Sequence, residues 1–522
     1  MKPSTSDRFH GAPLDWILAL GVSFISLALY IRTLAPWVLP GDSGEFQVLA
    51  DQLGAAHCPG YPIYLVLAKA FTFLPVADIA YRVNLFSALM AAVAVGGVYL
   101  AARLMGANRW AAIFGALVLT VSFTFWSQAL IAEVYTAGAA FSIWILICVL
   151  WWQKTGKAFP LFMAGLLGGM SLGVHTTILV LAPGIAVFLW LHRREHPGFW
   201  RPALAGTVAG VLLWLIVFMI VDRNYPPANI FNSAYESARS AWSLSQADIQ
   251  NPWVRIWFLA SAQQWRSALS FDLGHLFGAA GDYFSGLPRE FSYPTIVLII
   301  LGWIALFRKR KDLAALLSVS LLVHWLISFN YQIWDIYVFY ITGYVLLALV
   351  AALGLELLIQ WIDRIHFKWS RPLQAGLSIL ITVFAVGLIL SPRWPAVQYG
   401  EEPFIGEKKY LLGEDPSAMV RRISHTVEQM KPNSIIFMDW NWLYTYYYVA
   451  HVEQGRTDLR FIEISPRSDE PGLPHSVIEF VEANLETRPI YFSRPIPEIE
   501  TAGFEFQRAE IWYDTFYKVI RP

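Results

Sequence analysis

Charge is scarce in this sequence. Of its 522 residues only 15% are Asp, Glu, Lys or Arg, while 56% are hydrophobic. A soluble domain carries about 25% charged residues. The deficit is concentrated in long apolar runs, which marks a membrane protein rather than an unusually dry core. Net charge is absent too, with 38 basic and 38 acidic residues. A nucleic-acid partner would need a basic face, so none is expected. Cysteine is nearly missing: there are two, Cys58 and Cys148, and Cys148 lies inside an apolar run. That excludes a disulfide framework and a cysteine zinc site. Low-complexity segments and convincing internal repeats are also lacking.

What is present is length in apolar runs. About 20 apolar residues cross a bilayer as a helix. The first run, Leu14 to Leu34, follows a short head with Lys2 and Arg8. It is long and has no clear small-x-small cleavage site, so it reads as a retained signal anchor. Further runs fall near 83–102, 110–126, 132–152, 160–174, 176–191, 203–221, 292–307, 313–329, 336–358 and 373–391. The expected fold is therefore mainly α, a polytopic transmembrane helical bundle of about 11 spans. Gly165, Gly168, Gly169, Gly173 and Pro183 interrupt the pair at 160–191. Interrupted helices at membrane depth call for a protein-lined or wet cavity.

Orientation follows from basic residues. With the N-terminus in the cytoplasm, the cytoplasmic connections hold Arg103 and Arg109, Lys154 and Lys157, Arg193, Arg194 and Arg201, Arg308 to Lys311, and Arg364, Lys368 and Arg371. The alternate connections near 127–131, 175 and 330–335 carry no Lys or Arg, as the positive-inside rule demands. Three larger pieces then face outward: 35–82, 222–291 and everything from about 392. Residues 1–391 form the expected membrane domain. Residues 392–522 form an extracytoplasmic α/β domain. In it Ser434–Met438 and Leu459–Ile464 read as short buried strands, and Met419–Met430 and Ser476–Leu485 as amphipathic helices.

Chemistry gathers in the first outer loop, which reads Leu39-Pro-Gly-Asp-Ser-Gly-Glu-Phe-Gln47 and then Ala56-His-Cys-Pro-Gly-Tyr-Pro-Ile-Tyr64. Asp42 and Glu45 share one face if the segment is helical. Two carboxylates beside a membrane suit general-base work on a hydroxyl. The same pattern also reads as a capping box, with Asp42 as N-cap and Glu45 reaching back. His57 sits in a turn stiffened by Pro59 and Pro62 and freed at Gly60; it reads as a phosphate or acceptor ligand, or as an interfacial connector residue. Arg82 and Asn84 follow. Arg82 fits a lipid phosphate, a partner for Glu133, or a snorkelling interfacial arginine. Gln128, Glu133 and Tyr135 lie at the outer ends of the third and fourth spans. An acid there is expensive unless paired or functional. His175, in Gly173-Val-His-Thr-Thr177, and Asp335, before a later span, fall on the same side of the membrane. The 222–291 loop carries Trp242, Trp253, Trp257 and Trp265, which suit sugar stacking or helices lying on the membrane. Asp439 follows an expected strand, as a ligand contact or an ordinary strand-end turn.

Five motifs occur in order: Gly41-Asp-Ser-Gly-Glu-Phe46, His57-x-Pro-Gly-Tyr-Pro62, Tyr81-Arg-Val-Asn-Leu-Phe-Ser-Ala88, Trp126-Ser-Gln with Ala132-Glu-Val-Tyr135, and Gly165 with Ser171-Leu-Gly-Val-His175. Together they closely resemble a bacterial polytopic membrane family, long of unknown function, whose eukaryotic relatives are secretory-pathway protein O-mannosyltransferases. That family looks like a branch of the GT-C glycosyltransferases. The resemblance is strongest over 36–190. It weakens through Asn330–Tyr340 and through Asp439-Trp and Gly455-Arg-Thr-Asp-Leu459. It departs at Cys58, where the family usually has proline.

The resemblance implies an extracytoplasmic active site in a plasma (inner) membrane protein. The donor would be a polyprenyl-phosphate-linked sugar and the acceptor a hydroxyl of a protein or glycan. Asp42 would be the base of an inverting transfer and Glu45 its partner. His57, Arg82, Asn84, Gln128, Glu133, Tyr135, His175 and Asp335 would bind donor phosphate or acceptor. No metal and no cofactor beyond the donor are implied. Two other classes fit part of the pattern. A transporter or flippase of lipid-linked sugars would use interrupted helices, though the charges lie at the outer face and no duplicated halves are visible. A non-catalytic scaffold would tolerate loss of Asp42.

Overall fold

The computed structural model describes residues 13–365, 371–404, 416–466, 472–512 and 514–522. Lys2, Arg8 and Lys368, used above for orientation, lie outside the described residues. Eight helices among those described are long and apolar enough to cross a membrane, from Pro13–Arg32 to Pro372–Tyr399. A ninth span is a bent pair, Arg109–Val121 and Phe123–Ala129, turning by 67° at Ser122. The two runs at 160–191 are shorter apolar helices, Ala158–Gly173 and Thr176–Leu191. Each of the eleven runs thus appears as a helix or helix pair, and the chain is an integral membrane protein. The run at 292–307 belongs to a longer helix, Leu273–Lys309, kinked where Ser292 takes φ 58° beside Pro294.

The chain forms two compact units, each discontinuous in sequence. The first gathers described residues up to Leu34, then Leu85–Trp214 and Ala268–Pro403. It is a helical bundle packed through glycine. A Cβ at Gly165 or Gly169 would collide with Ala203 O, Thr207 O or the backbone of 206–211, and one at Gly206 or Gly210 with Phe162 O or Leu166 O. Small residues allow this backbone approach where lipid offers no hydrophobic drive. Gly165 and Gly169 therefore serve a helix crossing. Gly302 and Gly354 do the same, facing Val350 O and Leu298 O.

The second unit gathers Ala35–Asn84, Leu215–Ser267 and Phe404–Pro522. Its sheet runs β2-β1-β3-β5-β4, with β1 Ile435–Met438, β2 Arg460–Glu463, β3 Ile490–Phe492, β4 Glu505–Ile511 and β5 Asp514–Ile520. β1 pairs in parallel with β2 and β3; β5 pairs antiparallel with β3 and β4. Ile435, Phe437, Ile462, Ile490 and Phe492 form a core with Val477, Phe480 and Val481 from the helix His475–Asn484. The connection after residue 222 is clamped by a buried bidentate pair, Arg255 Nε and Nη2 donating to the Asp222 carboxylate at 2.8 and 2.6 Å, the geometry that makes arginine–carboxylate pairs strong.

Candidate active site

The Gly-Asp-Ser-Gly-Glu motif starts a helix, Asp42–Gln52, whose residues 43–50 are all buried. Its N-cap is Gly41 at φ 66°, and no side chain caps it. The capping box does not form, because proline and glycine set the helix entry and both carboxylates turn elsewhere. A Cβ at Gly44 would run into Leu39 O, so the tight entry needs glycine. Gln47 holds the helix in place: its Oε1 accepts from Leu39 N, and its Nε2 donates to Asn84 Oδ1 at 2.9 Å. Asn84 Nδ2 in turn donates to Ala35 O at 2.7 Å.

Glu45 is fully buried and turned to the His57 turn. Its Oε1 accepts from His57 N at 2.8 Å, and its Oε2 lies 2.5 Å from His57 Nδ1. Burial pushes the Glu45 carboxyl above its ordinary range, and His57 works against that rise. The turn is fixed by Gly60 at φ 91°, where a Cβ would come within 2.6 Å of Phe218 Cζ. His57 Nε2 then faces Asp42 Oδ2 at 3.8 Å and Tyr61 Oη at 3.4 Å. Around the imidazole stand the rings of Phe46, Tyr61, Trp265 and Trp440.

Asp42 differs from its partners in exposure. Its side chain is 38% exposed, against 0% for Glu45. The other Asp42 oxygen accepts from Trp440 Nε1 at 2.7 Å. The arrangement is a buried Glu–His pair behind one reachable carboxylate, held at its far side by an indole. It can take a proton from a hydroxyl at Asp42.

The remaining expected site residues divide. Arg82 donates through Nε, Nη1 and Nη2 to Val76 O, Thr72 O and Ala77 O, at 2.6 to 2.8 Å. Those bonds close the connection between two helices. Asn84 anchors the first-loop helix through Gln47. Five candidates belong to the other unit. His175 caps the turn Thr176–Val180, accepting from Thr177 N, and packs on Tyr135 and Phe339. The Glu133 backbone is held by Ser87, whose hydroxyl bonds both its N–H and its carbonyl. Gln128 is buried, and neither of its amide atoms has a partner among the described residues. Asp335 precedes the turn Ile336–Tyr340 and does not cap it with its side chain. The tryptophans also split: Trp265 stands by His57, whereas Trp253 and Trp257 are exposed on the helix Pro252–Ala260.

Sequence reading missed two neighbours of the site. Trp440 follows Asp439 and reaches Asp42. Glu463 ends β2, where burial and then the charges of Glu45, Asp439 and Asp42 raise its carboxyl above the ordinary range. Trp440 lies in the Asp439-Trp step of the weaker resemblance, and the end of an α/β strand is the only signal for Glu463.

Comparison with known proteins agrees with the motif resemblance. Residues 42–197 match the family described as the protein O-mannosyl-transferase TMEM260 N-terminal domain. A Dictyostelium discoideum protein named protein O-mannosyl-transferase tmem260 is 21% identical over 545 residues, covering 91% of this chain and 63% of that protein. Mouse protein O-mannosyl-transferase TMEM260 is 29% identical over 175 residues, covering 32% of this chain and 24% of that protein. The chain thus spans less than two thirds of the length of either relative. The crystal structure of ArnT from Cupriavidus metallidurans bound to undecaprenyl phosphate superposes with a TM-score of 0.54, over 97% of both chains at 14% identity. The chain shares the fold of that structure.

Proposed function

We propose that the chain is a membrane glycosyltransferase that moves a sugar from a polyprenyl-phosphate donor to a hydroxyl acceptor. The relatives' names point to mannose and a protein acceptor. The undecaprenyl phosphate bound by ArnT supports the lipid carrier. The distribution of Lys and Arg supports a cytoplasmic N-terminus and an outward-facing site in the plasma (inner) membrane.

The observation that carries the reading is the contrast between Asp42 and Glu45. Only Asp42 is open to a substrate, and it is backed by His57 and Trp440. In the transfer the acceptor oxygen attacks the anomeric carbon while its proton passes to the Asp42 carboxylate. The bond from that carbon to the phosphate oxygen breaks, and polyprenyl phosphate leaves with the electron pair. Configuration inverts. Glu45 holds the imidazole through Nδ1, so Nε2 faces Asp42 and steadies its carboxylate. The step as written uses no metal.

The test measures release of polyprenyl phosphate from a panel of polyprenyl-phosphate sugars, with acceptor extract, by purified wild type and Asp42→Asn. Turnover lost in the variant supports the reading and names the donor. Equal turnover removes Asp42 from the chemistry. No turnover on any donor by folded protein favours transport of lipid-linked sugars.

A further inference from the structure

The helix Pro252–Ala260 has two faces of opposite character. Arg255, Ile256, Phe258 and Leu259 are buried, whereas Trp253 is 58% exposed and Trp257 66%. The two indoles stand four residues apart, so they share one side of the helix. The only charged side chain of the helix, Arg255, is turned inward. Two large apolar side chains left open together on one face form a surface that suits a partner.

The level of this helix is fixed by the span before it, Trp200–Asn224. On the last turns of that span Ile216, Met219 and Ile220 are exposed apolar side chains, the kind of surface that lipid covers. Asp222 follows Ile220 by two residues, about 3 Å along the axis, and Arg223 and Asn224 are exposed. Charged and polar groups at this point mark where the chain leaves the hydrocarbon. Arg255 ties the later helix to that point. It holds the Asp222 carboxylate through two bonds, its Cζ lies 4.7 Å from the centroid of the Tyr225 ring, and its Nη1 donates to Ile249 O at 2.8 Å. The middle of the helix therefore sits at the level where the span ends, the zone in which tryptophan is enriched. Its inner face meets the His57 turn: Phe258 O lies 3.7 Å from Cys58 Sγ, and Leu259 Cδ1 lies 3.4 Å from where a Cβ on Gly60 would stand.

We propose that the helix Pro252–Ala260 is a membrane anchor that lies on the lipid surface, with Trp253 and Trp257 set into the boundary between headgroups and acyl chains. The His57 turn, packed against its other side, then stands at that same boundary. Two observations favour lipid over a saccharide as the partner. The open face is tied to the end of a span whose exposed surface already meets lipid. It also sets no charged group of the helix beside the indoles, whereas a ligand site pairs its apolar lining with polar groups that fix orientation. Zwitterionic lipid suffices, because the helix presents no cation to an anionic headgroup.

The experiment uses the full-length protein in phosphatidylcholine nanodiscs, with and without phosphatidylglycerol. Nitroxide labels are placed singly through Trp253→Cys and Trp257→Cys. Reference labels are placed through Ile216→Cys, within the span, and Glu482→Cys, exposed on the helix His475–Asn484. Wild type carried through the same labelling supplies the blank for Cys58 and Cys148. Spin relaxation by dissolved oxygen, set against relaxation by a water-soluble nickel chelate, reads the depth of each label. Labels at 253 and 257 should lie about 5–10 Å into the headgroup and acyl boundary, with 216 deeper and 482 in water, in both lipid compositions. Depths at 253 and 257 equal to that at 482 would overturn the proposal. Insertion only with phosphatidylglycerol would overturn it as well, because charge and not the indole face would then make the contact. Trp253→Asp with the label at 257 should move that label several ångströms toward water. No movement would show that the Arg255–Asp222 pair alone sets the level, which ends the anchoring role of the indoles. If that variant does not fold, the single labels still decide. None of these readouts needs turnover, so failure of the glycosyltransferase reading leaves their result standing.

Discussion

Two buried carboxylates, one in each unit, show how differently the same group can be used. Glu290 lies in the helical bundle, where three donors satisfy it: Ser122 Oγ and Thr124 Oγ1 at 2.6 Å and Thr124 N at 2.9 Å. Those donors sit at the bend between Arg109–Val121 and Phe123–Ala129, so Glu290 fastens a broken span. In the other unit Glu45 is equally buried, yet both its bonds go to one histidine that faces the exposed Asp42. A carboxylate whose lone pairs are filled by backbone and hydroxyl donors is architecture. One bonded to an imidazole that faces an open carboxylate 3.8 Å away fits the proton transfer proposed for Asp42.

The comparison breaks most sharply at Asp42. Asp42→Asn should leave thermal unfolding near wild type while transfer falls roughly 10²- to 10⁴-fold, the range of general-base assistance. A variant within tenfold of wild type would end the proton-transfer role. Glu290→Ala should behave in the opposite way. It orphans three donors inside the bundle, which costs about 2–4 kcal/mol. Unfolding should come several degrees earlier, and the activity of the surviving folded protein should change little. An unchanged melting temperature would show that the bend holds without Glu290.

Much of this was legible beforehand, and the reasons are physical. Spans are set by bilayer thickness, so an apolar run of sufficient length declares itself. The approach of His57 to the Asp42 helix was also accessible, because a stiff proline turn only a dozen residues away limits where the imidazole can go. The capping reading failed because Gly41 took the N-cap position at positive φ. Gly165 and Gly169 suggested a cavity, since glycine in a span signals interruption and close packing alike; only the partner backbone at 203–211 separates these. β3 is three residues long, and β4 is mostly exposed and polar, so neither shows the alternation of a half-buried strand. Glu463 was invisible because its neighbours Asp42 and Glu45 are brought close only by the tertiary fold.

Glu463 also allows the comparison to be made through stability. Its carboxyl sits at about 8 in the fold against an ordinary value of 4.5. Below 4.5 the folded and unfolded chains are both protonated there. Between 4.5 and 8 the folded chain holds a proton that the unfolded chain has released, so stability falls as pH rises across that window. The penalty is complete above 8. Glu463→Gln has no proton to lose, so it should be the more stable protein at pH 9, by about 1–4 kcal/mol, with the gain fading toward pH 5. A gain independent of pH would mean that the carboxyl is not held neutral by its surroundings.

The smallest expected effect belongs to Trp440, the link between the sheet edge and the proposed base. Its indole donates to Asp42 on the side away from His57. Trp440→Phe keeps an aromatic ring against Tyr444 and His57 but removes that donor. A hydrogen bond to a charged group is worth about 1.5–3 kcal/mol when buried. Asp42 is more than a third exposed, so water replaces part of the loss and kcat should fall about three- to tenfold. Donor affinity should not move, because the indole bonds the proposed base. A pure packing role predicts the reverse pattern, with a lower melting temperature and an unchanged kcat in folded protein. The split between kcat and stability therefore decides whether the C-terminal sheet only covers the first-loop carboxylates or helps to aim them.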